Sequence, residues 1–192
     1  MAIENLAIAH SDLEIRGGLQ YVGVGLYSAV SNMTAGGDFV DSADAHGVTL
    51  VGGDVLALFD LKQGTGSLTT SGSKEGGTIM FEHTVSFYVP NISTAHLSNL
   101  QSMANQDLVV ITQGYDDTQK HIIGLSKAYQ ASDSVRGNAQ MYARLTSIEG
   151  GTGAALGDEN GVTVTIVAQS GELPRAVTNS ITVDASVGTM TT

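Results

Sequence analysis

The chain has 192 residues, a length that one domain normally occupies. Hydrophobic residues make up 42% and charged residues 14%, with 24 glycines and two prolines. That is too little charge for the exposed faces of a helical bundle and too many apolar residues for a disordered chain, which leaves an all-β domain with many turns. Nineteen acidic residues against eight basic ones give a net charge of −11, which repels phosphates and disfavours a DNA-binding role. With no cysteine, disulfide and thiolate chemistry are excluded; this suits assembly in a reducing cytoplasm.

Residues 1–16 are moderately polar and fit either a short helix or an extended arm. They lack the basic start of a signal peptide, with Glu4 and Asp12 early. No run of about 20 uninterrupted apolar residues occurs, so no membrane span is expected. LQYVGVGLYSAV (19–30) is rich in β formers, and Gly23 and Gly25 predict close backbone approach or a bulge. A long loop is expected over 31–47, and two short strands over 48–62 broken at Gly52-Gly53.

GSLTTS (66–71) reads as a strand and GSKEGG (72–77) as a turn-rich stretch. The clearest strand follows, with Phe81, His83, Val85, Phe87 and Val89 on one face and polar residues between them; Pro90 ends it. Ser93 is placed to cap a helix over 93–105, with Leu97, Leu100 and Ala104 as its packing face and Asn105 at its C-terminus. Segments 107–113 and 120–129 flank Gly114-Tyr115-Asp116-Asp117 as a hairpin. A polar loop is expected at 131–139 and a strand at 141–148. After a loop ending in the Asn160-Gly161 turn, 162–168 is strongly β-forming.

No motif for catalysis survives inspection. GGTGAALG (150–157) has Leu156 where a dinucleotide loop needs its third glycine, and it leads into a strand instead of a helix. His10, His46, His83, His96 and His121 form no HxH or HExxH pair, and His83 reads as a satisfied core or interface imidazole. Asp158-Glu159-Asn160-Gly161 lacks the spacing of a calcium loop, and no GxSxG elbow occurs. The chain is expected not to be an enzyme and to use no cofactor or metal.

The order of elements from Gly17 to Val177 resembles the tail-tube (major tail) proteins of bacteriophages, relatives of the tube proteins of contractile injection systems. The resemblance is carried by GGLQYVGVGLYSAV, by GTGSLTTSGSKEGGTIMFEHTVSFYVPNIS, by DLVVITQGYDDTQKHIIGLSKAY and by the closing GGTGAALGDENGVTVTIVAQSGELPRAV. It implies a mainly β fold, a sandwich or barrel with one short flanking helix and extended loops. Residues 1–177 would form a single domain with an N-terminal arm, and 178–192 a tail or added strand. Subunits would join into rings, usually hexameric, stacked as a tube in the virion tail that conducts DNA, with acidic groups facing the channel. Partners would be further copies of the chain and other tail or neck proteins, with DNA passing through unbound. The Gly-rich loops 31–47 and 62–77 would join ring to ring, with Lys62, Ser71, Lys74 and Glu75 as contacts in the second. A neck or completion ring of the same fold, and a surface carbohydrate-binding β-sandwich, are the alternatives.

Overall fold

In the computed structural model, residues 17–34, 47–50, 56–90, 93–115, 120–125, 141–152 and 160–177 are described. The expected N-terminal arm, most of the 31–47 loop, the 116–117 turn, the 131–139 loop and the 178–192 tail lie outside them. The protein is mainly β, and its described residues form one large antiparallel sheet, a two-stranded sheet and one α-helix.

Two strands with period-two patterning sit at the heart of the sheet. In β6 (Thr78–Pro90), His83, Val85, Phe87 and Val89 are buried, as the alternation predicts. In β10 (Gly161–Ser170), Val162, Val164, Ile166 and Ala168 are buried likewise. The two pair without interruption from Gly161↔Pro90 to Ser170↔Phe81, so their apolar faces fall on one side.

Segment 62–77 bears out the strand expected at 66–71 and corrects the expectation of a turn-rich stretch at 72–77 and of a loop over the whole segment. Gly66–Glu75 is a strand, β5, paired with β6 from Gly66↔Phe87 to Glu75↔Thr78. Gly76 and Gly77 close the hairpin with φ of 57° and 91°. Positive φ at both central residues is what a two-residue type I′ turn requires, and glycine adopts it without a Cβ clash. Ser71, Gly72 and Ser73 have weak intrinsic β preference; the long partner strand holds them extended.

Preceding these are β1 (Leu19–Leu26), a 3₁₀ turn (Tyr27–Ala29), β2 (Val30–Thr34), β3 (Gly47–Leu50) and β4 (Ala57–Asp60). The expected 31–47 loop is therefore strand at both ends, and β2 pairs with β3 as a separate two-stranded sheet. The irregularity in β1 lies at Leu19/Tyr21, not at its glycines. Gly25 instead allows close approach, because a Cβ there would run into the Leu56 side chain.

Strands β7 (Leu108–Gly114) and β8 (Lys120–Ile123) form the expected hairpin, in register Val110↔Ile123 to Gln113↔Lys120. After β9 (Ala143–Gly151) and β10, β11 (Arg175–Val177) adds to β8. The strand order is β11-β8-β7-β9-β10-β6-β5, with β1 beside β7 and β4 beside β1. Strands β7 and β9 meet at one pair, Leu108↔Ala143, so the sheet has two limbs: β4-β1-β7-β8-β11 and β9-β10-β6-β5. One core cluster draws on both, joining Val22, Val24, Leu108 and Val110 to Phe87, Val164 and Ile166. A second cluster, with Val30, Leu56, Val109 and Ile111, uses the opposite face of β7. That is why β7 reads as a continuous apolar run instead of alternating.

Helix α1 (Thr94–Met103) starts where Ser93 caps it, its hydroxyl accepting from the His96 amide at 3.2 Å. Its packing face differs from the one read in sequence. Leu100 and Met103 enter the core, whereas Leu97 is 49% exposed and Ala104, the right-handed C-cap, is exposed. The C-terminal half of the helix is what lies against β1 and β7, where Asn99, Ser102 and Met103 border a groove shared with Val24 and Leu108. Gly161 also differs from expectation: it is the first residue of β10 and not at positive φ. A side chain there would collide with Tyr88 and the Val89 carbonyl.

Candidate assembly surface

The limb β9-β10-β6-β5 has one face in the core and one that no other described strand or helix covers, with its central residues half-buried. Cross-strand partners share a face, so the pairing registers give the open face in rows. One row is Ser71, Glu82 and Gln169. The next is Thr69, Thr84, Val167 and Arg144, and the next Ser67, Ser86, Thr165 and Ser147. Tyr88, Thr163 and Glu149 complete it. Hydroxyl side chains dominate, and the charges in these rows are two acids and one base.

Two of the three charges on that face, Glu82 and Arg144, have partners. Gln169 donates its amide to Glu82 at 3.2 Å. The Arg144 guanidinium donates to Asp107 at 3.2 Å and to the Tyr142 hydroxyl at 2.9 Å, lying 4.6 Å from the Tyr142 ring centre. The threonine hydroxyls turn partly onto the backbone, as Thr146 does by donating to the Thr165 carbonyl at 3.0 Å.

Both long edges of the limb are open among the described residues. On β5 the geometry fixes which groups are free. The Tyr88 amide donates to the Thr65 carbonyl at 3.1 Å, and the two-residue turn closes on Glu75↔Thr78. Hydrogen-bonded pairs alternate from these two ends, so Leu68, Thr70 and Gly72 direct their backbone N–H and C=O away from β6. At the other edge, β9 meets β7 only at Ala143, leaving Arg144–Gly151 with an outer side that no described strand covers.

The β5–β6 hairpin extends past its neighbours. β10 ends opposite Phe81, so the pairs Ser73↔Met80, Lys74↔Ile79 and Glu75↔Thr78 overhang by about 10 Å at the usual rise per strand residue. Ile79 and Met80 on this arm are 49% and 40% exposed. Of the residues singled out in sequence, Lys74 and Glu75 lie on the arm, Ser71 lies on the open face, and Lys62 sits apart in the exposed turn before β5. They do not form one cluster.

His83 is the satisfied buried imidazole that its register suggests. Nε2 lies 3.0 Å from the Glu172 carbonyl and 2.9 Å from the Ser170 hydroxyl; Nδ1 lies 3.1 Å from the Thr70 hydroxyl. A neutral ring protonated on Nε2 satisfies all of these, with Thr70 donating to Nδ1. Burial holds its pKa below the ordinary 6.5, against the raising effects of the Glu172 carbonyl and carboxylate. Glu172 in turn holds Arg175 at 2.8 Å. The network thus fastens the link between β10 and β11, the crossing from one limb to the other.

Lys120 escaped the sequence reading. It is fully buried at the start of β8, beside Gln113 and Val177, and among the described residues its ammonium finds no hydrogen-bond partner. Desolvation lowers its pKa. Among the described residues no group of three His, Asp or Glu side chains could hold a metal ion, and no helix is long and apolar enough to cross a membrane. No family model, curated protein or solved structure matches this chain.

Proposed function

We propose that the chain is a virion structural protein whose subunits close into rings, hexameric on the resemblance, that stack into a bacteriophage tail tube conducting DNA. The fold would then be the sandwich of that family, assembled in the host cytoplasm and carried in the virion tail. One observation supports this most: a four-stranded limb with two long open edges, β5 and β9, on opposite sides. An open edge on a monomer is an aggregation hazard, but two different edges on one sheet allow head-to-tail addition that closes into a ring. The overhanging hairpin, with Ile79 and Met80 at its end, suits contact between successive rings better than a loop does.

Negative-stain imaging of the concentrated protein, and of its native assembly, tests the reading. Rings and tubes are expected; a strict monomer under every condition, with no rings in native material, would overturn it. Stacking is tested by replacing Lys74–Ile79 with Asn-Gly, which re-forms a two-residue turn on the Ser73↔Met80 pair. That variant should melt cooperatively and form rings that do not stack. If the unaltered protein itself stops at single rings, it is a neck or completion ring.

A further inference from the structure

We infer that the joint between successive copies has a single register, in which Ile148 on the β9 edge of one copy is seated over Gly72 on the β5 edge of the next, against the Phe81 ring. This joint presupposes the ring reading and names the residues that make it. In β6, Thr78 and every second residue up to Tyr88 bond to β5, so the residues between them, Phe87 and Val89 included, bond to β10. The alternation carries on across β10. Val162 and Val164 bond to β6, while Gly161, Thr163 and Thr165 bond to Gly151, Glu149 and Ser147. On β9 the groups directed outward therefore belong to Ile148 and Gly150.

An extra residue interrupts this edge. Thr165 pairs with Ser147 and Ile166 with Leu145, which leaves Thr146 as a β-bulge whose hydroxyl donates to the Thr165 carbonyl. Beyond the bulge the phase reverses. Val167 bonds to Arg144, and it is Leu145 and Ala143 that point outward, where Ala143 already pairs with Leu108 of β7. An incoming strand presents its groups at every second residue and cannot follow both phases. The joint is confined to the Ile148–Gly150 side.

The β5 edge matches it in face and direction. Leu68, Thr70 and Gly72 lie on the core face as partners of Val85, His83 and Phe81, and Ile148 and Gly150 lie there as partners of Val164 and Val162. Hydrogen-bonded partners share a face, so copies joined through these groups keep their core sides together. β9 is three antiparallel steps from β5, so copies in the same orientation meet as an antiparallel pair. Side chains then select the register. Ile148 is 42% exposed although its partner Val164 is fully buried. The Phe81 ring leans over Gly72, 3.0 Å from where a Cβ would stand, and gives Ile148 an apolar seat. Thr70 then covers Gly150, and Ser71 lies opposite Glu149 with a hydroxyl to donate to it. A slip of two residues one way sets Ile148 against Lys74; a slip the other way wastes Gly72 on the bulge and brings in Gly66, which is buried against Leu61 and Leu19.

The chain has no cysteine, so disulfide formation reads the register directly. Glu149 and Ser71 oppose each other across the joint as a non-hydrogen-bonded pair, with Cα atoms about 4.5 Å apart. Within one copy they stand on opposite edges, at least about 14 Å apart over three strand spacings, too far for a bond. Oxidised rings carrying Glu149→Cys with Ser71→Cys should give a ladder of covalent multimers on a non-reducing gel. The slipped pairs, Glu149→Cys with Thr69→Cys or with Ser73→Cys, are about 7–8 Å apart and should give little. A ladder that favours a slipped pair would overturn the register. Rings that form with no ladder from any pair would overturn the joint and leave the ring reading standing. If the parent protein forms no rings, the ring reading fails first and the joint with it. Ile148→Ser alters a residue exposed in the free subunit, so its melting should be unchanged while the concentration needed for rings rises by about tenfold or more. Rings at the parental concentration would remove Ile148 from the joint.

Discussion

His83 and Lys120 are two buried basic side chains with opposite circumstances. The imidazole has a partner at each nitrogen and is stable there while neutral. Its folded-state pKa is lowered, so the unfolded chain binds the proton more readily, and stability is full above the unfolded value near 6.5. It falls as pH drops from there toward the lower folded-state value. Glu172 and Arg175 face the same link as an ion pair. Denaturant midpoints measured from pH 7.5 to 5 should therefore decline for the parent protein and decline less for His83→Gln; identical slopes would remove His83 from the account. Lys120 has the same sign of shift but no partner among the described residues, and its buried ammonium is destabilising until it loses its proton. Stability should rise as pH climbs toward the ordinary lysine value of 10.5. Lys120→Met should stabilise by on the order of 1 kcal/mol or more, the scale on which apolar groups replace buried charge. A variant less stable than the parent at pH 7 would mean that the ammonium has a stabilising partner.

Elements whose own side chains carry the signal were legible in sequence. β6 and β10 alternate because one face of each is core, Ser93 announces its helix through a hydroxyl acceptor, and Gly114 begins a hairpin turn. Elements defined by a partner were not. β5 was legible over 66–71, but it runs on through Gly72-Ser73-Lys74-Glu75, which local preference assigns to a turn, and only pairing with the longer β6 makes that part strand. Likewise α1 is too short for its apolar stripe to fix its rotation. Leu97 and Leu100 are equally apolar, but only Leu100 reaches the core, at 2% exposure against 49%. Leu100→Ala should cost about 2–5 kcal/mol, as large-to-small core changes do. Leu97→Ala should stay within about 0.5 kcal/mol, typical of surface positions. Chemical denaturation of the two variants checks the rotation, and equal losses would show that Leu97 is packed as well. The candidate surface was the least legible part. Lys62, Ser71, Lys74 and Glu75 looked like one loop, whereas open edges and an overhang exist only once the strand order is known.

At the scale of the whole molecule, the two open edges make a distinction that an image of a ring does not. If β5 of one copy adds to β9 of the next, every subunit uses both edges, and one defective edge interrupts the ring. If instead β5 adds to β5 across a two-fold axis, a subunit with a blocked β5 is simply left out. Gly72 is the place to block it, because its amide points away from β6 and a proline there removes an outward donor while sparing the β5–β6 ladder. A Cβ at this position meets the Phe81 ring at 3.0 Å, a contact that a small shift of the ring relieves. Gly72→Pro should therefore melt cooperatively as a subunit and fail to form rings alone. Mixed with parent protein at a small fraction, it should still offer its β9 edge, join growing arcs and stop their closure, so that rings fall by more than the added fraction while open arcs accumulate. Rings forming at the undiluted parental yield in that mixture would exclude β5-to-β9 addition, because a subunit that cannot join cannot poison.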